Sequence, residues 1–272
     1  MNRTQIADHI LNRLEQEKST IRKSYKQSEG AMGHFWIDDL LPVEIPITIY
    51  NSFPPQESMK KRKDLREFKY VAAQMNHYNP ILEEAIFSFQ DKRIVSLIRE
   101  ICGMDSLYPD EQLYAGGISS MGKDQFLNPH LDNSHDFNRE KWRVLNLLYY
   151  VTPDWELDYG GNLEIWPNGV DQKQITIHSK FNRLVVMATH RKSWHSVSPI
   201  THEGFRCCVS NYYFSDEPLK RDESFHVTSF RGRPNQRFRD WFLRIDNSLR
   251  MGLRKLFSKG IIQTDHLYKK TK

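Results

Sequence analysis

Three side chains in this sequence have the types and spacing to hold one metal ion. His130 and Asp132 are separated by a single residue, Leu131, in the segment NPHLDN. On an extended strand such positions point to the same face, so one ion lies within reach of both. An HxD triplet alone is a weak signal, because such a pair is more often hydrogen-bonded at a surface than bound to a metal. A third ligand must come from elsewhere, and His195, in SWHSVSP just after the apolar run RLVVMAT, is well placed to supply it. Two histidines and one carboxylate on one side of an ion leave several coordination positions open, the donor set of non-haem Fe(II) oxygenation. Arg206 follows His195 by eleven residues. A strand, a turn through Thr201, His202, Glu203 and Gly204, and a returning strand would bring its guanidinium back near the ion, where its planar fork suits a carboxylate held bidentately.

The elements that must position these groups are short strands. From about Tyr114 the chain becomes a series of apolar runs, VLNLLYYV, GGNLEIW, QITIH, RLVVMAT and RCCVSNYYF, punctuated by Gly, Pro, Asn and Asp. Without helix-length segments between them, these runs predict a mainly β core of the sandwich or jelly-roll kind. The first hundred residues read as mostly helical, with three-to-four spacing in QIADHILNRLEQEKSTIRK and again around NPILEEAIFSFQDKRIVSLIREICG. Pro54-Pro55 interrupts them, and the charged run from Lys60 to Arg66 reads as a solvated face. From Gln236 to Lys259 helical spacing returns, with Phe238, Trp241, Phe242, Ile245, Leu249, Leu253 and Leu256 along one face and arginines on the other. We expect that face to pack on the sheet; contact with an anionic membrane or a partner is the less favoured use. The division expected is a helical region over 1–108, a core over 109–216 and a basic helical extension over 217–272.

With 39% hydrophobic and 12% aromatic residues, the 272-residue chain has the material for a sizeable core, which excludes a disordered protein. No window reaches about 18 uninterrupted apolar residues and the first segment is charged, so neither a transmembrane helix nor a signal peptide is expected, and the location expected is the cytoplasm. Cys102, Cys207 and Cys208 offer neither a disulfide framework nor a CxxC zinc pair. The net charge of +5 is concentrated at one end: residues 217–272 hold 14 Lys and Arg against 6 Asp and Glu, which leaves −3 for residues 1–216. That distribution says little about the site itself and does not favour a nucleic-acid partner.

From Gln125 to Phe214, six blocks in order, NPHLDN, LLYYVTPDW, GGNLEIWPNG, KFNRLVVM, WHSVSP and GFRCCVSNYYF, resemble the double-stranded β-helix of the prolyl 4-hydroxylase-like Fe(II)/2-oxoglutarate-dependent dioxygenases. The resemblance covers about a third of the chain. It implies Fe(II) on His130, Asp132 and His195, with 2-oxoglutarate as cosubstrate, dioxygen as co-reactant and ascorbate as an accessory. It also implies that Arg206 anchors the distal carboxylate of 2-oxoglutarate, that Tyr150 directs a phenol at the same carboxylate, and that Leu163 lines the cosubstrate pocket. Tyr212 would stand near the substrate. Leu163 and Tyr212 serve equally well as core packing. Many relatives carry a tyrosine about ten residues before the first metal ligand, where this chain has Ser119, Ser120 and Met121; that contact is either missing here or supplied by Tyr114.

The reaction implied is hydroxylation of a C–H bond coupled to decarboxylation of 2-oxoglutarate to succinate. A peptidyl proline is the leading substrate, with a free amino acid, a sugar or another biosynthetic small molecule as the alternative. A nucleic-acid demethylase of the same superfamily would carry a second arginine six residues past Arg206, where this chain has Tyr212. A non-catalytic binding module would be expected to lack a ligand, and all three are present. A structural zinc site would be closed and richer in cysteine. Asn133 and His135 line either the substrate mouth or a solvated loop, and the polar segment Ser134 to Trp142 is a candidate lid. The other histidines, His226 among them, read as ordinary structural or surface residues.

Overall fold

A computed structural model describes residues 1–256 and 267–269, apart from the side chains of Lys255 and Leu256. The last residues of the expected helical extension, including Leu256 in its apolar stripe, therefore lie outside the described side chains. The chain begins with α1 (Arg3–Ser28), β1 (His34–Ile37), α2 (Glu44–Asn51), β2 (Lys60–Lys63), β3 (Glu67–Ala72), α3 (Pro80–Ser88) and α4 (Lys92–Cys102). The strands of the core follow: β4 (Tyr108–Pro109), β5 (Gly117–Met121), β6 (Phe126–Leu131), β7 (Trp142–Tyr150), β8 (Leu163–Ile165), β9 (Ile175–Ile177), β10 (Arg183–Ala188), β11 (His195–Val197) and β12 (Arg206–Ser215). A short β13 (Ser229–Phe230) and α5 (Arg237–Leu256) end it.

One antiparallel sheet runs β1-β10-β7-β12-β5-β3-β6-β11-β8-β9 and curls into a jelly roll. The fold is joined across its middle by β3, whose Tyr70 to Ala72 pair with β5 and whose Glu67 and Phe68 pair with β6. Alternation along β7 decides what each face meets. Leu145, Leu147 and Tyr149 face outward into a core shared with Ile6, Ile10 and Leu14 of α1 and Ile94 and Ile98 of α4. Tyr150 faces inward with Leu163, Ile165, Val185 and Met187. Burying one such aliphatic side chain contributes roughly 1.5–3 kcal/mol, so the helical layer is a principal source of the roll's stability.

Three of the helices, α1, α3 and α4, start where the sequence supplies a side-chain cap. Asn2 and Gln5 form a reciprocal capping box on α1. The segment NPILEEAIFSFQDKRIVSLIREICG forms two helices, because Asp91 caps α4 through the Arg93 amide and interrupts the run. The charged run at Lys60 is the edge strand β2, paired among the described residues only with β3 at residues Lys60 to Lys63; exposed lysines are tolerated at an edge that must not pair further.

α5 departs most from expectation. Its apolar stripe does not pack on the sheet: Phe238 is 87% exposed, Trp241 59%, Phe242 55% and Leu249 64%. The helix is held by its other side. Leu243, 2% exposed, enters a cluster with Met121, Leu127, Val197 and Phe230. Asp240 pairs with Arg231 at 2.5 Å and Asp246 with Arg66 at 2.6 Å. Asn247 accepts from the Phe230 amide at 2.9 Å and donates to its carbonyl at 2.6 Å, completing the free edge of β13. The preceding turn is tight at Gly232, where an added Cβ would lie 2.8 Å from the Asp240 amide nitrogen. The physical reason for the departure is that desolvated polar anchors, not the amphipathic stripe, select the docked face.

Candidate metal centre and adjoining cavities

β6 and β11 pair His130 directly with His195, and Asp132 follows β6 by one residue. The pairing skips a position between His195/His130 and Val197/Leu127, so β6 carries a bulge around Asn128 and Pro129. Pro129 has no amide to lose there, and the bulge turns both Leu127 and His130 into the roll. The His130 and His195 ring centroids are 4.1 Å apart. Asp132 Oδ1 lies 3.7 Å from His130 Nε2, and Asp132 Oδ2 lies 3.6 Å from His195 Nε2. One donor atom from each of the three residues falls within 4.8 Å of the others, and all three residues are buried.

These donors fit a divalent metal ion. His130 Nδ1 is 3.0 Å from the Asn128 carbonyl and His195 Nδ1 is 2.9 Å from the Ser193 carbonyl. Each carbonyl accepts a proton on Nδ1 and leaves the Nε2 lone pair for the metal. Burial, then the neighbouring His195, push the His130 pKa down to about 3, and burial also lowers that of His195. Burial alone would raise Asp132, but His195, Arg143 and His130 outweigh it and hold the carboxyl below its usual range. Near neutral pH the set is two neutral imidazoles and one carboxylate. Asp132 Oδ2 is buried with no hydrogen-bond partner among the described residues, an arrangement that a cation would satisfy.

Behind the triad is a cavity of about 130 Å³ lined by Arg206, Tyr150, Leu163, Tyr212 and the three ligands. Arg206 is buried, its guanidinium carbon is 5.4 Å from the Tyr150 ring centroid, and its Nε has no partner among the described residues. Gly161, at φ +69°, passes so close that a Cβ would stand 3.0 Å from Arg206 Cδ, which explains a glycine in GGNLEIW. Met121 Sδ, 2.9 Å from Arg206 Nη2, lies beside the guanidinium, whereas Tyr114 does not line this cavity. The expectation that Tyr114 stands in as a cosubstrate contact is thereby corrected: its strand-preceding loop aims it at the outer cleft. Arg206 also returns by a different route than a simple hairpin. It pairs with Met121 of β5, on the other half of the roll from β11.

On the open side, a cleft of about 380 Å³ leads from His130 and Asp132 past Asn133, Tyr212, Arg143, Arg62 and Arg66 to Arg250 of α5. The run from Lys60 to Arg66 is thus not merely a solvated face. The cleft shares Tyr114, Asn133, Thr228 and Arg250 with a cavity of about 400 Å³, whose wall also holds His135, Phe225, His226, Arg139 and Arg254. Tyr212, Asn133 and His135 therefore all border space adjoining the triad. The segment 134–142 forms one wall of it, closed by a His135 to Trp142 bridge and by Asp136, which accepts from the Glu140 and Lys141 amides.

Sequence reasoning missed Arg143. It lies 3.6 Å from Asp132 Oδ1, its guanidinium carbon is 4.6 Å from the Tyr212 ring centroid, and its Nε is buried without a partner among the described residues. Alternation along β7 would put it on the helix side with Leu145 and Leu147. A bulge at Val144, where Tyr213 pairs with Leu145 and Phe214 with Arg143, turns it inward instead. Also missed was Phe230, stacked on His130 at 5.2 Å. An arginine at the start of a mostly apolar strand was the available signal for the first; no local signal marks the second.

Residues 116–214 match the model of the 2OG-Fe(II) oxygenase superfamily. No curated protein sequence matches the chain. Among solved structures, it is similar to a prolyl hydroxylase from Trichoplax adhaerens solved in complex with a hypoxia inducible factor oxygen degradation domain peptide fragment, at 19% identity over 73% of this chain and 91% of that one, TM-score 0.52. It is also similar to a prolyl 4-hydroxylase from Phytophthora capsici, at 15% identity over 93% of this chain and 78% of that one, TM-score 0.54. A Pseudomonas putida prolyl-4-hydroxylase aligns at 12% identity over 71% and 98%, TM-score 0.52. At such identities the likeness is one of fold.

Proposed function

From the premise that residues 116–214 are a 2OG-Fe(II) oxygenase core folded as in prolyl hydroxylases, we propose that this oxygenase is a hydroxylase acting on a C–H bond of an organic substrate. One observation carries the reading: the His130, Asp132, His195 triad and the partnerless Nε of Arg206 face one small cavity. Fe(II), when bound with 2-oxoglutarate and dioxygen, supplies the oxidising chemistry, and 2-oxoglutarate leaves as succinate and carbon dioxide while one oxygen atom goes to the substrate. The protein's part is to hold and orient. His130, Asp132 and His195 would hold the metal. Arg206, whose guanidinium lies over the Tyr150 ring, would grip the far carboxylate of 2-oxoglutarate, with the Tyr150 hydroxyl as a second donor. Leu163 would exclude water from the cosubstrate, and Tyr212, Asn133 and His135 would border the substrate. Residues 1–108 and 217–272 frame this core in our reading rather than acting alone. Ascorbate is proposed as an accessory reductant on the resemblance alone.

The first substrate reading is a prolyl residue in a peptide, supported by the shared fold. A second, a compact biosynthetic molecule with an anionic group, is supported by the cavity beside the metal cleft. Among the described residues its wall carries Arg139, Arg250 and Arg254 against Asp136 as the one carboxylate. Burial and the neighbouring Arg254 lower the pKa of Arg139, and burial lowers that of Arg250, so an anion placed there would relieve both. The test is succinate release under Fe(II), 2-oxoglutarate and air, with proline peptides, free amino acids, and sugars with and without phosphate. Release that rises only with peptides selects the first reading, and release that rises only with the anionic molecules selects the second. An iron-loaded protein that binds no 2-oxoglutarate would remove the proposal.

A further inference from the structure

The stripe on α5 leaves six large apolar side chains, Phe238, Trp241, Phe242, Ile245, Leu249 and Leu253, between 42% and 87% exposed. At about 100° per residue they cover roughly 120° of the helix circumference. Asp240, Leu243 and Asn247, which hold the helix to the core, lie on the opposite side. Apart from Leu253, which also lines the cavity beside the metal cleft, the stripe is therefore presented outward by a helix already fixed along its back. Soluble chains seldom expose a continuous patch of this kind without a use for it.

Charge and shape narrow the occupant. From Arg237 to Arg254 the helix carries five arginines and two aspartates. Both aspartates are engaged by arginines, Asp240 with Arg231 and Arg244, Asp246 with Arg66 and Arg250. Arg237 and Arg244 are exposed along the Trp241 border of the stripe, and Arg239 flanks the other border. A second copy of the helix would bring the same cations against one another, which is unfavourable. A protein groove recognises a helix by enclosing much of its girth, but here the back of the helix is occupied by the core. A flat anionic surface meets neither obstacle. Aromatic and aliphatic side chains can enter its apolar layer while arginines reach its headgroups. We propose that α5 docks this protein on an anionic lipid bilayer, lying in the plane of the surface. It does not cross: among the described residues no helix is long and apolar enough to span a membrane.

The test is co-sedimentation of the full chain with vesicles of phosphatidylcholine alone and of equimolar phosphatidylcholine and phosphatidylglycerol. A triple variant, Trp241→Gln, Phe242→Gln and Ile245→Gln, and a charge variant, Arg237→Gln with Arg244→Gln, are measured beside it. Because the three apolar side chains are exposed, the triple variant should keep its melting temperature and its 2-oxoglutarate affinity, so lost binding would not reflect unfolding. We expect binding to the anionic vesicles only, about tenfold or more weaker in the triple variant and weakened also in the charge variant. Absence of binding to either vesicle, or undiminished binding by the triple variant, would overturn the proposal. So would equal binding to neutral vesicles. A concentration-dependent dimer that the triple variant abolishes, without vesicle binding, would assign the stripe to self-association instead.

Discussion

Replacing His130, Asp132 or His195 by Ala removes one of three converging donors, so each variant should lose one equivalent of tight Fe(II) binding in anaerobic calorimetry. Full iron affinity in any of the three would displace the metal assignment. Arg206→Ala should leave iron affinity nearly unchanged and weaken 2-oxoglutarate by about 2–5 kcal/mol, because a bidentate charge-assisted pair is lost from a buried pocket. Tyr150→Phe should cost less, since one neutral donor is removed. Protons give a further test at this scale. His130 is depressed to about 3 and His190 to about 4 from an ordinary value of 6.5, burial being the main cause in both. The unfolded chain therefore takes up protons first, and the metal-free protein should lose stability as pH falls from about 6.5 toward those values. A lower urea midpoint at about pH 5 than at pH 7.5 is the expected outcome; an unchanged midpoint would show that these rings are not held neutral.

At the scale of elements, the docking of the C-terminal segment rests on a few buried contacts. Arg233 Nη2 lies 2.7 Å from Glu164, which also accepts from Ser196, beside His195 on β11. Arg233→Ala should destabilise the protein by about 3–5 kcal/mol, because it leaves the Glu164 carboxylate buried with its cation gone. Leu243→Ala should cost about 2–4 kcal/mol through the cavity left among Met121, Val197 and Phe230. Trp241→Ala, on the exposed stripe, should change the melting temperature little. A scan that ranked Trp241 above Leu243 would mean that the stripe is covered after all. The helix itself was legible from its spacing, yet its buried side was not. Amphipathicity reports which residues avoid water when something is available to cover them; the site of docking is set by partners such as Arg66 and Arg231, remote or outside the periodic pattern.

Across the whole molecule, the helical layer and the metal site are separable. Ile10 is buried against the outer face of the roll, whereas the triad lies inside it. Ile10→Ala should therefore lower stability by about 2–4 kcal/mol while leaving Fe(II) affinity of the folded protein intact, as calorimetry and thermal melts on one sample would reveal. By itself the sequence determined the chemistry of the core. HLD, WHSVSP and GFRCCV carry the ligand types in order, and a strand's period of two is local enough to put His130 and Asp132 together without knowledge of the rest. The apolar runs of β7, β10 and β12 were legible for the same reason, since they depend on neighbours a few residues away. Tertiary structure alone decided what depends on register and on distant pairing. The bulges at Val144 and around Pro129 reverse the face of Arg143 and His130 relative to their strands, and no periodic pattern records an inserted residue. β3, outside the matched core, joins its two halves, because an edge amide pairs with whichever strand the fold brings beside it. The arginines of the outer cleft come from β2, the turn that follows it, β7 and the far end of α5, and only the closed chain could gather charges so distant in sequence into one wall.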